Sequence, residues 1–457
     1  MGSLYNPVRL AEFARYYGFH YDACDPALLV RDVLIDMERG LRGQPSSLAM
    51  IPAYISPVSH VPAGKTVIAL DAGGTNLRAA LVRFDEQGKT IAEGSQGVPG
   101  TRKVPMPGTK GRVNAAEFFD QIAEVTAPLI EEAKGVEGIG FCFSYPMEIT
   151  KDSDGILLAL SKEVDAPEVI GKRIGQGLRD ALARRKVKAP DRIVLLNDTV
   201  ATLLSGVAAI PADGGFSWDD DRYGVSGGPV IGFILGTGFN TAYPEKDIPK
   251  IGFHSDTSPQ IVVCETGSFA HRYIGFPDKE YDATTKTPGV YATEKAAAGA
   301  YLGPLTLHVF KQAVRDGLVK FRKSDELLAL GNLQTKDLNA FLHAPLKQEG
   351  PLAPLFAADE RDSVNSFTFL ASILTERGAL LSSAVVAAMV ERTGEGFDPL
   401  SPVRIAVEGT TYMIYQGMRR AVESRLHTLL TRVTPRYYTI APVEQASLFG
   451  AAVAALS

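Results

Sequence analysis

Apolar residues run through this chain in two rhythms, and the first is an unbroken run closed by glycine. Residues 67–82 read VIALDAGGTNLRAALV, two apolar runs joined by a polar turn that holds Asp71, Gly73, Gly74 and Thr75. The two runs of β-forming character predict a strand pair, and the glycines predict a hairpin between them. Residues 230–243, VIGFILGTGFNTAY, repeat the design. Residues 138–146 (GIGFCFSYP), the start of IVLLNDTVATLLSG at 193–206, and 404–409 (RIAVEG) predict further strands that end on polar residues or glycine. Two strand-turn-strand units of like design predict a duplicated fold whose halves face each other across a cleft.

The second rhythm has the period of a helix. Leu10, Phe13 and Ala14 share one face near the N-terminus, and Pro45, Pro52, Pro57 and Pro62 then mark a connector. Asn114 and Glu117 have capping-box spacing ahead of an apolar face formed by Phe118, Ile122, Val125 and Leu129. Asn197, Asp198 and Thr199 stand where a strand gives way to a helix and are predicted to cap it. Residues 305–314 and 363–389 are predicted helical, with Gly394 ending the second. Thr410 and Thr411 are predicted caps after 404–409, and 447–456 (SLFGAAVAAL) predicts a closing helix whose small residues allow close approach. The apolar stretch 379–390, bounded by Arg377 and Glu391, is too short for a bilayer core of about 30 Å.

Composition narrows the class of ligand. With 457 residues, 45% of them apolar and 22% charged, the chain has material for two or three globular domains. A net charge of −5 provides no broad basic surface, so a nucleic acid partner is not expected and an anion must be met locally. Cys24, Cys142 and Cys264 are too few and too dispersed for a disulfide framework or a four-cysteine zinc site, and read as buried thiols in a reducing compartment. Arg9, Glu12 and Arg15 interrupt any apolar leader, and Asn6 replaces the Ser or Thr that myristoylation requires. A cytoplasmic protein without a membrane partner is expected.

The turns suggest chemistry. Gly73 and Gly74 let backbone N–H groups approach an anion, Thr75 adds a hydroxyl, and Asp71 is suited to orienting a magnesium ion or its waters. An ordinary glycine hairpin has the same local sequence. Asp198 at a strand-to-helix junction is rigidly placed to act as a general base, although the local sequence by itself favours a plain helix cap.

Taken together, LDAGGTNLR, FSYP, LLNDT, GTGFN and VEGTTY resemble the hexokinase family in order and separation, from about residue 65 to the end. The likeness also takes in ILLALSKEV, VCETGSF and PGVYATEKAAAGAYLG. It implies an α/β, two-domain actin-like (ribonuclease H-like) sugar kinase with an interdomain cleft. The small domain would comprise residues 66–197 plus 441–457, and the large domain 1–65 plus 198–440. The implied activity is transfer of the γ-phosphoryl group of ATP to the 6-hydroxyl of a hexose, glucose foremost, by a monomer or homodimer. Mg2+ would be carried by ATP and met through water near Asp71 and Asp198.

By the same resemblance Asp198 is the general base, with Lys162 beside it in the catalytic set. Ser144, Ser161, Lys162, Asn197, Asp198, Asn240, Glu265 and Glu294 match sugar-contacting positions. Asp71, Gly73, Gly74, Thr75 and Asn76 match the first phosphate segment, and Gly236, Thr237 and Gly238 the second. Gly409, Thr410 and Ser447 fall in the adenosine-binding part, where helix capping is the alternative role. Arg78 matches a family position and reads equally as a structural ion pair.

Departures affect the pocket walls. Ser161 stands where the family usually has Thr, and the tryptophans of its RWTKGF-like and TEWG-like segments are missing. Ala446-Ser447-Leu448-Phe449-Gly450 adds bulk to the family's GSGxGAA, and residues 211–228, with Trp218 and three consecutive aspartates, are longer than expected. This segment reads as a lid, an interface or a loop. A non-catalytic hexokinase-like sugar sensor would share the pocket. A bacterial-type glucokinase or sugar-responsive repressor would add a clustered-cysteine zinc motif, and an actin- or chaperone-like ATPase has no use for Ser144, Lys162, Glu265 and Glu294.

Overall fold

A computed structural model describes residues 4–57, 64–84, 101–133, 135–160, 163–207, 228–345, 347 and 349–457. Its principal strands, numbered along the chain, are β1 (Ile51–Pro52), β2 (Thr66–Gly73), β3 (Asn76–Arg83), β4 (Arg102–Pro105), β5 (Ile139–Phe143), β6 (Ile193–Leu196), β7 (Val230–Leu235), β8 (Phe239–Glu245), β9 (Gln260–Val263), β10 (Val403–Glu408) and β11 (Tyr438–Pro442). The helices used below are α1 (Pro7–Tyr16), α2 (Pro26–Leu41), α3 (Ala115–Ala133), α4 (Ile174–Arg184), α5 (Asp198–Ser205), α6 (Ala292–Ala297), α7 (Leu302–Arg315), α8 (Arg361–Thr393), α9 (Thr410–Ile414), α10 (Met418–Thr428) and α11 (Ala446–Ala454).

The strands form two mixed sheets, ordered β4-β3-β2-β5-β6 and β1-β9-β8-β7-β10-β11. In each, an antiparallel hairpin (β2-β3, β7-β8) is followed by two strands that add in parallel beside its first strand (β5 and β6, β10 and β11). β4 and β9 pair antiparallel with the second strand of each hairpin, at equivalent places. The duplication suggested by two glycine hairpins is therefore one of topology. The proline-rich connector does more than connect, since its residues Ile51 and Pro52 pair with β9 as an extra edge strand.

Helices cover both faces of each sheet, which is why β2 and β7 read as continuous apolar runs rather than alternating ones. α3 and α4 pack together on the outer side of the first sheet, while α1, α2, α8 and α10 form the outer layer of the second. Between the sheets lie α11, which packs on β2 and β5, and α5, which packs on β7, β8 and β10. These two helices touch each other, and Val67, Val194, Leu204, Ala406, Leu448 and Ala452 contribute to one core shared by both sheets.

The middle layers are unusually close. A Cβ on Gly140 would lie 1.7 Å from the Ala451 carbonyl oxygen, one on Gly450 2.0 Å from that of Ala201, and one on Gly232 2.6 Å from that of Thr199. Glycine at these points lets sheet, helix, helix and sheet stack backbone against backbone, as the small-residue C-terminal segment predicted. Leu448 and Phe449, the added bulk of that segment, are buried in the shared core.

Most local expectations hold. Asn114 and Glu117 form a reciprocal capping box, each side chain accepting from the other's backbone N–H at 2.9 Å. Gly394 ends α8 with φ 70°. Three details differ. The cap of α5 is Asn197 alone, whose Oδ1 accepts from Val200 N at 2.9 Å, so Asp198 is the first helical residue and its carboxylate is released from capping. Thr410 and Thr411 do not cap α9, which starts after Gly409, and the Thr411 hydroxyl donates instead to the Gly236 carbonyl at 2.7 Å. Residues 379–390 are part of the 33-residue α8, long and apolar enough to span a bilayer, yet 94% of its most apolar window is buried inside the molecule. Packing on every side accounts for its all-round apolar character. Most of the 211–228 segment lies outside the described residues.

Gly450→Ala tests the helix contact. In an exposed helix this change stabilises by up to about 1 kcal/mol. Here the added methyl meets backbone, so we expect a loss of about 3 kcal/mol, read from urea or thermal melts. A gain in stability would disprove the close contact.

Candidate active site

The first hairpin sets up its own ion pair. Asp71 and Arg78 face each other across β2 and β3, and Arg78 Nε donates to Asp71 Oδ2 at 2.7 Å. Arg78 Nη2 also donates to the Ser447 hydroxyl at 3.0 Å, tying the hairpin to the start of α11. Arg78 is thus a structural ion-pair residue and a wall of the cleft at once. At the turn, Gly74 adopts φ 59°, and the Tyr145 hydroxyl donates to its carbonyl at 2.7 Å. Among the described residues, its chain neighbours aside, nothing lies within 4 Å of where a Gly74 Cβ would stand, so the turn is held from beneath by Tyr145 and has room for a ligand at Gly74. Thr75 is exposed, and its hydroxyl accepts from the Asn76 amide at 3.1 Å.

Asp71, Gly73, Asn76, Arg78, Lys103, Ser144, Asp198, Glu408 and Ser447 line one cleft of about 350 Å³. Residues from six separate stretches of sequence meet there because strand ends and helix starts from both halves converge on it. Ser144 follows β5 and donates its N–H to the Ala72 carbonyl at 3.0 Å. Asp198 opens α5, where the Thr199 hydroxyl donates to its Oδ1 at 3.2 Å. Burial raises the Asp198 pKa, and the neighbouring Asp71 charge raises it further. A larger hollow of about 510 Å³ flanks the first sheet, but its buried carboxylate, Asp154, is spent on the amides of Gly155, Gly175 and Gln176 and on Arg173.

A second polar group lies behind the β7-β8 turn. Asn240 Nδ2 donates to Glu265 Oε1 at 2.9 Å, and Glu265 itself sits in the left-handed region at φ 57°. Glu294 Oε2 accepts from Phe239 N at 3.0 Å, in a space kept open by Gly238 and Gly267, whose Cβ atoms would stand 2.9 and 3.0 Å from that oxygen. Burial raises the pKa of both glutamates, and the charges of Asp198 and Glu294 add to the effect on Glu265. Asp198, Glu265 and Glu294 thus form one electrostatic neighbourhood.

The β7-β8 turn is pinned by its carbonyls. Gly236 O accepts from Gly299 N at 2.8 Å as well as from Thr411, and Thr237 O accepts from Ala300 N at 3.0 Å. The N–H groups of Thr237 and Gly238 have no partner among the described residues. Gly409, at φ 126°, brings the end of β10 against this turn, where a Cβ would come 2.3 Å from the Leu235 carbonyl oxygen. Thr410 is exposed beside it, whereas Ser447 lies with Arg78 in the cleft. Ser161 and Lys162 lie outside the described residues.

Glu408 and Lys103 were not singled out from sequence. Glu408 carried a readable signal, a carboxylate ending an apolar strand immediately before a glycine, the same kind of place that drew attention to Asp198. It accepts from the Thr202 hydroxyl at 3.1 Å, and burial pushes its pKa up to about 6, with the charges of Asp198 and Asp71 adding to the effect. Lys103 had no local signal, since only the pairing of β4 with β3 sets it opposite Arg78.

Two family models described as Hexokinase match the chain, one over residues 18–208 and the other over 230–457. Hexokinase-1 of Saccharomyces cerevisiae is 28% identical over 465 residues, covering 94% of this chain and 88% of that protein. Hexokinase-3 of Mus musculus is 28% identical over 413 residues, covering 87% of this chain and 42% of that protein. The chain therefore spans less than half the length of such mammalian relatives. Among solved structures, a hexokinase from Schistosoma mansoni complexed with glucose superposes with a TM-score of 0.71 at 21% identity, covering 99% of this chain and all of that one. A second hexokinase crystal structure gives 0.67 at 24% identity, covering 99% and 97%. These likenesses establish the two-domain α/β fold.

The raised Glu408 pKa has a consequence for stability. An acid whose pKa is higher folded than unfolded stabilises the fold while protonated, and that contribution is lost as pH rises from the ordinary 4.5 through about 6. At about 1.4 kcal/mol per pH unit, the loss is about 2 kcal/mol. Glu408→Gln should therefore melt higher than the parent at pH 8, by up to that amount, with the advantage vanishing below pH 4.5. Equal melting at pH 8 would contradict the buried, charge-opposed setting of Glu408.

Proposed function

Since the chain belongs to the hexokinase family, we propose that it transfers the γ-phosphoryl group of ATP to the 6-hydroxyl of a hexose, glucose foremost. The observation that carries this reading is Asp198, a carboxylate freed from capping at the start of a rigid helix, with a raised pKa and cleft polar groups on either side. A sugar hydroxyl is a weak nucleophile, and a carboxylate of raised proton affinity accepts its proton more readily as phosphoryl transfer proceeds. Asn240, Glu265 and Glu294 would take the ring hydroxyls, carboxylates accepting from paired O–H groups and the amide donating or accepting as needed. Ser144, which lines the cleft, would supply a further polar contact, and Asn197, Ser161 and Lys162 are assigned to the same pocket by sequence.

The nucleotide would lie across the two turns. The open Gly73-Gly74-Thr75 turn and the unpartnered Thr237 and Gly238 N–H groups suit phosphate oxygens. The residues fit a magnesium ion carried by ATP rather than a resident one. Among the described residues no group of three or more His, Cys, Asp and Glu could hold a metal, and Mg2+ is commonly met by one or two carboxylates, phosphates and water. Asp71 and Asp198 would face it through water, and the ion supplies charge neutralisation across the phosphate oxygens. Arg78 and Lys103 add positive charge at the same wall. Closure of the cleft would exclude water that competes for the phosphoryl group.

Coupled assays of ADP release over a panel of sugars test the activity. Asp198→Ala should lower kcat by about 10³-fold while sugar binding by calorimetry is kept. Because the base works deprotonated, kcat/KM of the parent should fall on the acid side at a pH above the ordinary aspartate value of 3.8. Sugar binding without ADP release would identify a non-catalytic sensor instead. Glu265→Gln should chiefly raise the KM for sugar, and unchanged constants would remove Glu265 from the pocket.

A further inference from the structure

The geometry points to Glu408 as a positioning residue for Asp198, acting through the hydroxyl of Thr202. The inference rests on the reading of Asp198 as the proton acceptor and adds a residue from the opposite half of the chain to the machinery.

Thr202 lies one turn after Asp198 in α5. Its Oγ1 is 3.0 Å from the Asp198 carbonyl oxygen and 3.1 Å from Glu408 Oε2. A hydroxyl has one hydrogen, so it donates to one of these oxygens at a time. With Glu408 ionised, the hydrogen goes to the charged carboxylate, the stronger acceptor, and the helix keeps its ordinary backbone bond at Asp198. Glu408 thereby prevents the side chain of Thr202 from competing for that carbonyl, a competition that bends helices. The first turn of α5, on which the Asp198 carboxylate depends for its aim, is then tied to the end of β10.

The tie links α5 to elements that are themselves paired and closely packed. Glu408 pairs in register with Ile234, next to the β7-β8 turn, and Gly409 packs its backbone against the same turn. A shift of that turn is therefore felt at the start of α5 through one side chain. The charged groups facing Glu408 are Asp198 on α5, Asp71 on β2 and Arg78 on β3. Arg78 is bonded to Asp71, so Thr202 is the only hydrogen-bond donor to the Glu408 carboxylate among the described side chains.

The test uses Thr202→Val, which keeps the shape and removes the hydroxyl, Thr202→Ser, which restores it, and Glu408→Ala. Thr202→Val and Glu408→Ala should each lower kcat about 10-fold or more and leave the sugar KM within about twofold, because misplacing a catalytic group affects turnover before binding. The double variant should be no slower than the slower single one, since both changes cut the same link. Thr202→Ser should recover most of the rate. Hydrogen exchange provides a readout independent of activity: amides of residues 197–205 should exchange faster in Thr202→Val and in Glu408→Ala than in the parent. Unchanged kcat with unchanged exchange, or fully additive losses in the double variant, would overturn the link. A parent enzyme that releases no ADP with any sugar would refute the kinase reading, and the exchange rates would still decide whether Glu408 restrains α5.

Discussion

Everything in this molecule depends on how closely α5 and α11 stack between the two sheets. Gly140, Gly450 and Gly232 remove side chains at three successive interfaces, so backbone meets backbone from the first sheet through both helices to the second. Bulk at any of them would push the layers apart. The starts of both helices, with Asp198 on one and Ser447 on the other, point toward the cleft, so layer spacing becomes the width of the site. A few tenths of an ångström at Gly450 therefore bear on the placing of cleft residues that never touch it.

Within that width the protein gathers more negative charge than it neutralises. Asp71, Asp198 and Glu408 share the cleft, and Glu265 and Glu294 stand close behind. Arg78 attends Asp71, and Lys103 stands exposed at the rim. Burial raises the proton affinity of Asp198, Glu265, Glu294 and Glu408, and neighbouring carboxylate charges raise it further at Asp198, Glu265 and Glu408. Carboxylates in such a setting take up a proton or an O–H donor more readily than exposed ones.

The two sheets share a strand order, yet their equivalent points carry different chemistry. The fourth strands in the common order end at Ser144 in one half and Glu408 in the other, while the helices that follow the fifth strands begin with Asp198 and with Ala446-Ser447. The hairpin turns diverge as well. The first is open above Gly74, whereas the second uses the bareness of Gly238 to admit Glu294 and that of Gly236 to lie against Gly409. A duplicated scaffold thus provides two sets of strand ends, and side chains at the same topological points differ in charge, in hydrogen bonding and in the room beside them.

Periodicity alone determined the hairpins, the strand at 193–196, the capping box at Asn114 and the long helix ending at Gly394, because each follows from residues within a few positions of one another. Motif order was enough to place Asp71, Ser144, Asp198, Glu265 and Glu294 among the polar residues of interest. Sequence left undecided whether Asp198 was a cap or free. That answer came from Asn197 taking the cap, a matter of a single hydrogen bond. It also missed Glu408 and Lys103, whose importance comes from the strands they pair with, which no rule local to either segment specifies. Local rules describe what a segment prefers, and they contain no term for which strand ends meet. That was decided by the stacking of two small-residue helices, a tertiary contact that buries apolar surface and, as its consequence, brings five carboxylates into one neighbourhood.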